Sequence, residues 1–423
     1  MKNTGYPSFR DPAFLRSQLR RDIAFFDPRT FDPTGGFFHY LNDDGSIYDR
    51  HSRHLVNSAR MVFCYTLAWR LDGVERYRES ARHGLAFLSD KHQQATGGYA
   101  WVLYDGTPTD RTQHCYGLAF VLLAQAHALR SSIAITDTAT PSNTPPAELE
   151  RTAARAALER TFNYMEHLFW SETDGLYADE ASPDGELSTY RGQNANMHSC
   201  EALIAAYEAS GSVHFLHRAE RIAHTITQDQ AGLANGWIWE HYHSDWSIDW
   251  EYNRHDQSNM FRPWGYQPGH MTEWAKLLLL LERHAPQLQH SSDWLLPKAQ
   301  ELFDLALTHA WDHTHGGIVY GLAPDLQPCD SDKYFWVQAE SLATAALLGQ
   351  RTGDQVYWDW YEKIWRYSWD HLIDHQHGAW FRVLTPDNHP YGSNKPPHGK
   401  TDFYHPMGAY LEALYANGAQ LEG

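Results

Sequence analysis

Apolar positions recur along this chain at helical spacing, in two alternating kinds of segment. Segments 76–89, 147–169, 213–229, 295–311 and 356–371 carry apolar residues on one face and charges and aromatics on the other. Segments 58–71, 116–129, 198–208, 271–282, 338–348 and 406–417 are rich in small and apolar residues nearly all round. The first kind predicts helices with one face in water, the second helices packed on both sides. Between them a glycine turn returns: Thr34-Gly35-Gly36-Phe37, Thr96-Gly97-Gly98-Tyr99, Thr173-Asp174-Gly175-Leu176, His315-Gly316-Gly317-Ile318 and Gln376-His377-Gly378-Ala379. A divergent copy, Gly236-Trp237-Ile238-Trp239, fills the gap between the third and fourth. The six units, about 60 to 80 residues apart, each read as outer helix, turn and inner helix. Their alternation predicts an all-α fold, an (α/α)6 barrel of six inner and six outer helices, with residues 1–423 as one domain. The alternating stretches from Gly98 to Val102 and from Gly378 to Val383 predict short β-hairpins at one rim. Residues 131–146, rich in Ser, Thr and Pro, read as a surface loop.

Composition narrows the function. The formal net charge is −18 and no Lys- or Arg-rich block is present, so neither nucleic acid nor an anionic membrane is an expected partner. No apolar run approaches the roughly 18 residues that cross a bilayer. The polar first residues argue against a signal peptide. Cys64, Cys115, Cys200 and Cys329 are scattered without paired spacing, as expected of reduced thiols in a cytoplasmic protein. The 17 Trp, 24 Tyr and 18 Phe fill a large core, and they also suit sugar rings, whose C–H faces lie on aromatic planes. The 27 His point to proton transfer or metal.

The chemistry concentrates where each inner helix begins, since a closed barrel gathers those helix starts at one end. His270 follows Pro268-Gly269 at the head of a Trp274-to-Leu281 apolar run, with Glu273 one turn on. A carboxylate one turn from an imidazole can hold its tautomer, and His198 with Glu201 repeats the spacing. His405 stands at the corresponding place in the last unit. Arg60, inside an apolar helix, and Arg262, in the loop before His270, are candidates for holding substrate oxygens. Trp336 reads as a sugar platform, while His114 and Tyr116 either face the pocket or pack at a helix start. Glu201, Glu273 and Glu340 fit better as supports than as the paired acids of a glycosidase. Two His-x-x-Glu pairs also offer metal ligands, but no dense Asp or His cluster stands out, so no metal is expected. With no Gly-x-Gly-x-x-Gly and no phosphate loop, no cofactor is expected. Three histidines at matching positions suit removal of a proton beside a sugar carbonyl, with arginine stabilising the enediolate.

Asn194-Ala-Asn-Met-His198-Ser-Cys-Glu201, Pro268-Gly-His270-Met-Thr-Glu273-Trp-Ala-Lys276, Lys400-Thr-Asp-Phe-Tyr404-His405 and Ser58-Ala-Arg60-Met resemble motifs of the N-acylglucosamine 2-epimerase family. The resemblance runs over essentially the whole chain. It implies an (α/α)6 barrel and metal-independent epimerisation or isomerisation of a monosaccharide. Within the family these phrases look most like the mannose isomerase branch and its sulfoquinovose isomerase relatives. The resemblance implies His270 and His405 as the general acid/base pair. Arg60, His198 and Arg262 would bind and polarise the sugar, Glu201 and Glu273 would orient their histidines, and Trp336 and Tyr116 would contact the ring. The expected reaction opens the pyranose, removes the C2 proton of mannose, and reprotonates the cis-enediolate at C1 to give fructose. The alternatives are a 2-epimerase, a sulfoquinovose isomerase, a glycoside hydrolase on the same barrel, and a non-catalytic sugar-binding barrel. The sequence leaves monomer and dimer both open.

Overall fold

The computed structural model describes residues 5–133, 146–259, 261–392, 395 and 397–419. Of the expected 131–146 loop, residues 134–145 lie outside the described residues. Twelve main helices alternate around a ring. The inner six are Leu55–Asp72, Cys115–Arg130, Gln193–Ser210, Pro268–Glu282, Phe335–Thr352 and Tyr404–Ala416. Each begins one to five residues earlier than the sequence pattern predicts, because polar residues such as Gln193 and Asn196 sit inside its buried first turns. The outer helices Glu75–Phe87, Pro146–Leu168, Val213–His224, Leu295–Ala310 and Gln355–Tyr367 match the amphipathic segments. A sixth, Pro12–Phe26, completes the set. Asp11 caps it by accepting from the Ala13 N–H, Pro12 opens it, and Leu15, Leu19, Ile23 and Phe26 bury one face. No described helix is long and apolar enough to cross a membrane.

After each outer helix a tight glycine turn leads into a two-stranded hairpin at one rim. The strand just before each inner helix then pairs with the hairpin of the next unit. Ser52–His54 pairs with Val102–Tyr104, Gln113–His114 with Glu180–Ala181, Arg191–Gly192 with His241–Tyr242, and Lys333–Tyr334 with Val383–Leu384. Tyr266 bridges to Leu322 in the same way. The sixth pairing, Lys400 to Leu41, joins the last unit to the first and closes the ring. Lys400 is buried there, donating to Asp374 Oδ2 at 2.6 Å and to the Gly378 carbonyl at 2.7 Å. The strands are short, as expected: in the second unit Tyr99 bridges Gln93, and the hairpin ladder runs over Val102–Tyr104. The core is one continuous apolar cluster between the inner and outer helices. Cys64, Cys115 and Cys200 are buried in it as free thiols, and Cys329 is half-buried.

Candidate active site

The inner-helix starts converge on a cavity of about 1210 Å³ at the hairpin end of the barrel. Its wall includes Arg60, His114, Tyr116, His198, Arg262, His270, Glu273, Trp336 and His405, so nine of the residues singled out from sequence come together. Glu201 stands behind His198.

Each of the three histidines is held through Nδ1 by a carboxylate. In His198 the expected pairing is present, with Nδ1 3.1 Å from Glu201 Oε2. The expected His270–Glu273 pairing is not. His270 Nδ1 lies 3.0 Å from both oxygens of Glu240, thirty residues upstream. His270 is the third residue of its helix, and a helical side chain leans back toward the N-terminus, so it meets the preceding hairpin and not the residue one turn on. Gln193 fixes this pair: its amide donates to Glu240 Oε2 at 2.9 Å, and the Trp274 indole N–H donates to its carbonyl at 2.7 Å. His405 Nδ1 lies 2.7 Å from Glu340 Oε1, a carboxylate on the neighbouring inner helix. An ionised carboxylate only accepts, so a proton on Nδ1 satisfies each of these contacts and leaves Nε2 as a base; at His270 the Gln193 amide nitrogen also lies 3.0 Å from Nδ1. The Trp336 ring is close to both His270 and His405, at 4.9 and 5.7 Å by ring centroids.

Under the cavity floor lies a charged cluster. Lys276 donates to Glu340 and stands 3.7 Å from Glu273 and 4.0 Å from Glu201. Burial raises the Glu201 carboxyl, but Lys276 and His198 outweigh it and hold the group at about 2. Glu273 goes the other way: burial, reinforced by the neighbouring Glu340 charge, pushes its carboxyl well above the usual range. Neither Glu273 oxygen has a hydrogen-bond partner within the described protein, and the residue faces the cavity. Arg60 is clamped between the rings of Phe120 and Tyr404, 4.5 and 4.7 Å away. Its guanidinium reaches Tyr116 Oη at 3.3 Å, Asp402 Oδ2 at 3.4 Å and His405 Nε2 at 3.5 Å. Burial, with the Arg60 charge beside it, holds the His405 imidazole far below its ordinary value, which keeps it neutral. Burial likewise lowers His198, against the pull of Glu201. The donor atoms of His198, Glu201 and Glu273, and those of Glu273, Glu340 and His405, lie within 4.8 Å of one another, close enough on distance alone for an ion. The Lys276 ammonium already sits among these carboxylates.

The rim residues are tied to one another. Arg262 donates to Glu180 at 2.8 Å and to Tyr252 Oη at 3.0 Å, and stacks over the Tyr190 ring. His114 stacks on Trp101 with Nδ1 3.5 Å from Glu180, and burial lowers it to about 4. Arg262 therefore enters the cavity as part of an ion pair, further up the wall than Arg60. Glu240, Gln193 and Lys276 escaped the sequence reading. The repeat contains the missing signal for Glu240. The first inner-helix N–H donates to the residue that opens the next hairpin: Leu55 to Trp101, Cys115 to Asp179, Gln193 to Glu240 and Phe335 to Arg382. Trp101, Asp179 and Arg382 line the cavity, and Glu240 occupies their place in the fourth unit.

The chain matches the N-acylglucosamine 2-epimerase (GlcNAc 2-epimerase) family over residues 36–409. It belongs to that family. A D-mannose isomerase from Marinomonas mediterranea is 47% identical over 97% of this chain and 98% of its own length. A crystal structure of a D-mannose isomerase superposes with a TM-score of 0.89 at 47% identity, covering 97% of this chain and 99% of that one. The cellobiose 2-epimerase from Spirochaeta thermophila superposes with a TM-score of 0.79 at 21% identity over 98% of each chain, which shows the shared barrel. Membership of the N-acylglucosamine 2-epimerase family thus agrees with the fold and with the whole-chain extent of the motifs.

Proposed function

We propose that this protein is an aldose–ketose isomerase interconverting D-mannose and D-fructose, with D-lyxose and D-xylulose as a second pair. The observation that carries the reading is the pair His270 and His405, each with Nδ1 held by a buried carboxylate and each beside Trp336. The similarity to proteins named D-mannose isomerase over nearly the whole chain favours this outcome over epimerisation.

In the proposed reaction the open-chain sugar lies along Trp336 between the two imidazoles. One histidine removes the C2 proton; the C–H electron pair forms the C1–C2 double bond and the carbonyl electrons move to O1. Arg60, 3.5 Å from His405 Nε2, is the cation placed for the enediolate oxygens. The same histidine returns the proton to C1 on the same face, giving the ketose, while the other serves the ring-opening and hydroxyl protons. Tyr116, Glu273 and His198 take substrate hydroxyls, and Arg262 and His114 border the entrance. No metal is needed in this scheme, because Arg60 supplies the positive charge at the enediolate. The enzyme is read as a cytoplasmic single-domain protein acting on a free monosaccharide.

A 2-epimerase is the second reading, favoured by the presence of two imidazoles beside Trp336, the second of which could reprotonate C2 from the opposite face. Product analysis decides between them. D-Fructose from D-mannose is expected, and His270→Asn and His405→Asn should each abolish it. D-Glucose as the main product would make the enzyme an epimerase. Turnover of sulfoquinovose or cellobiose but not D-mannose would move the substrate, and reducing sugar released from an oligosaccharide would make it a hydrolase.

A further inference from the structure

Lys276 is buried, yet it is not among the residues that line the cavity. A lysine in an otherwise close-packed wall of inner helices is costly unless its charge is matched. Here three carboxylates from three helices surround it: Glu201 from the third inner helix, Glu273 from its own, and Glu340 from the fifth. Two of these have second partners that face the cavity. Glu201 accepts from His198 and from the Tyr404 hydroxyl, and Glu340 accepts from His405. The other groups facing the cluster are Arg60 on the first inner helix, Tyr116 on the second, and Asp402 before the sixth.

We propose that Lys276 is a positioning residue of the reaction, whose ammonium anchors the carboxylates that orient His198 and His405 without itself touching the sugar. The inference rests on the reading of His405 as a proton-transfer group. The ammonium hydrogen-bonds Glu340 on one neighbouring helix and lies at ion-pair distance, 4.0 Å, from Glu201 on the other, so one charge acts on both carboxylates. Glu340 then gives its Oε2 to Lys276 and its Oε1 to His405, which leaves the imidazole one orientation and one tautomer. Lys276 shares Glu340 with His405, so its positive charge also bears on that imidazole. A nearby cation lowers an imidazole's affinity for protons, so removing the cation raises it. A histidine acting as base must be neutral, and the rate is lost as pH falls through its pKa. Losing Lys276 therefore moves the acid limb of the rate profile to higher pH.

The test is the pH profile of kcat and kcat/KM with D-mannose for wild type, Lys276→Gln and Lys276→Arg, together with ¹⁵N NMR titration of the histidines in the ligand-free proteins. For Lys276→Gln the expected result is an acid limb about one pH unit higher. Its kcat at neutral pH should fall at least about tenfold, with KM changed less than about twofold. Lys276→Arg keeps the charge but spreads it over a plane. It should keep the limb where it is and lose at least about fivefold in kcat. If Lys276→Gln does not fold, the Arg variant carries the kinetic test alone. A wild-type kcat and profile in the substituted enzyme would overturn the proposal. So would a rise in KM without loss of kcat, which would place Lys276 on the substrate. Should wild type not convert D-mannose, the functional reading falls. The histidine titrations still decide on Lys276, since an unshifted His405 in Lys276→Gln would refute its role.

Discussion

At the scale of single residues, the arrangement turns on which carboxylate holds which imidazole. His198 and its helical neighbour Glu201 follow directly from a three-residue spacing. His270 carries the same spacing to Glu273 and ignores it, because Gln193 and Glu240 meet the imidazole at the start of its helix. Glu240→Gln tests the difference. A glutamine at that place can present an N–H to Nδ1 and so turn the imidazole to the tautomer whose Nε2 is no longer a base. The expected loss is about 10²–10⁴-fold in kcat, with KM within about threefold. A variant keeping more than about a third of wild-type kcat would remove His270 from the proton transfer. The types and places of the residues proposed for proton transfer were legible in the sequence, as was the buried Arg60. Their partners were legible only where they shared a helix, since Glu340 reaches His405 across 65 residues and Glu240 reaches His270 from a hairpin.

At the scale of elements, the inner and outer helices were readable from their apolar patterns and the turns from their glycines. The helix starts were misjudged, because a polar cavity places hydrophilic residues inside helical turns. Pro12–Phe26 was not picked out, although its cap and its Leu15, Leu19, Ile23 spacing are regular. The glycine turns act through conformation and through space, and two positions separate the effects. Gly353 caps the fifth inner helix at φ 72° with nothing near its missing Cβ. Gly317 sits at φ 79° with a Cβ position 2.5 Å from the Tyr367 ring. Gly353→Ala should cost about 1 kcal/mol, the backbone term alone. Gly317→Ala should cost at least about 2 kcal/mol, because the ring must also move. Urea unfolding of both variants measures this, and equal losses would show that the turn has room for a methyl group.

At the scale of the whole molecule, the six-fold repeat was legible, but the closure of the ring was not: the pairing of Lys400 with Leu41 spans nearly the full chain and leaves no local pattern. Burying so many histidines around a closed core also fixes the response to acid. Burial lowers His54 and His127 to about 3, and His92 and His114 to about 4. Below pH 6.5 the unfolded chain binds these protons and the folded chain refuses them, so stability falls as pH falls toward the folded values. Asp22 and Asp179 oppose this, since burial raises them to about 7 and about 8 and the folded chain keeps their protons above pH 3.8. Among these six groups four histidines outnumber two carboxyls, leaving a loss of roughly 2 kcal/mol per pH unit between about pH 6 and 4. Thermal unfolding should show Tm dropping by about 2 °C per pH unit in that window, and a flat Tm would mean that other buried groups cancel the effect. The most direct measurement of the central claim is proton NMR of the EDTA-treated enzyme with D-mannose in D2O. The account predicts D-fructose, with the C1–C2 hydrogen exchanging with solvent deuterium at the enediolate, and no such product from His270→Asn or His405→Asn. D-Fructose formed only after a divalent metal is restored, or formed undiminished by the two histidine variants, would contradict it.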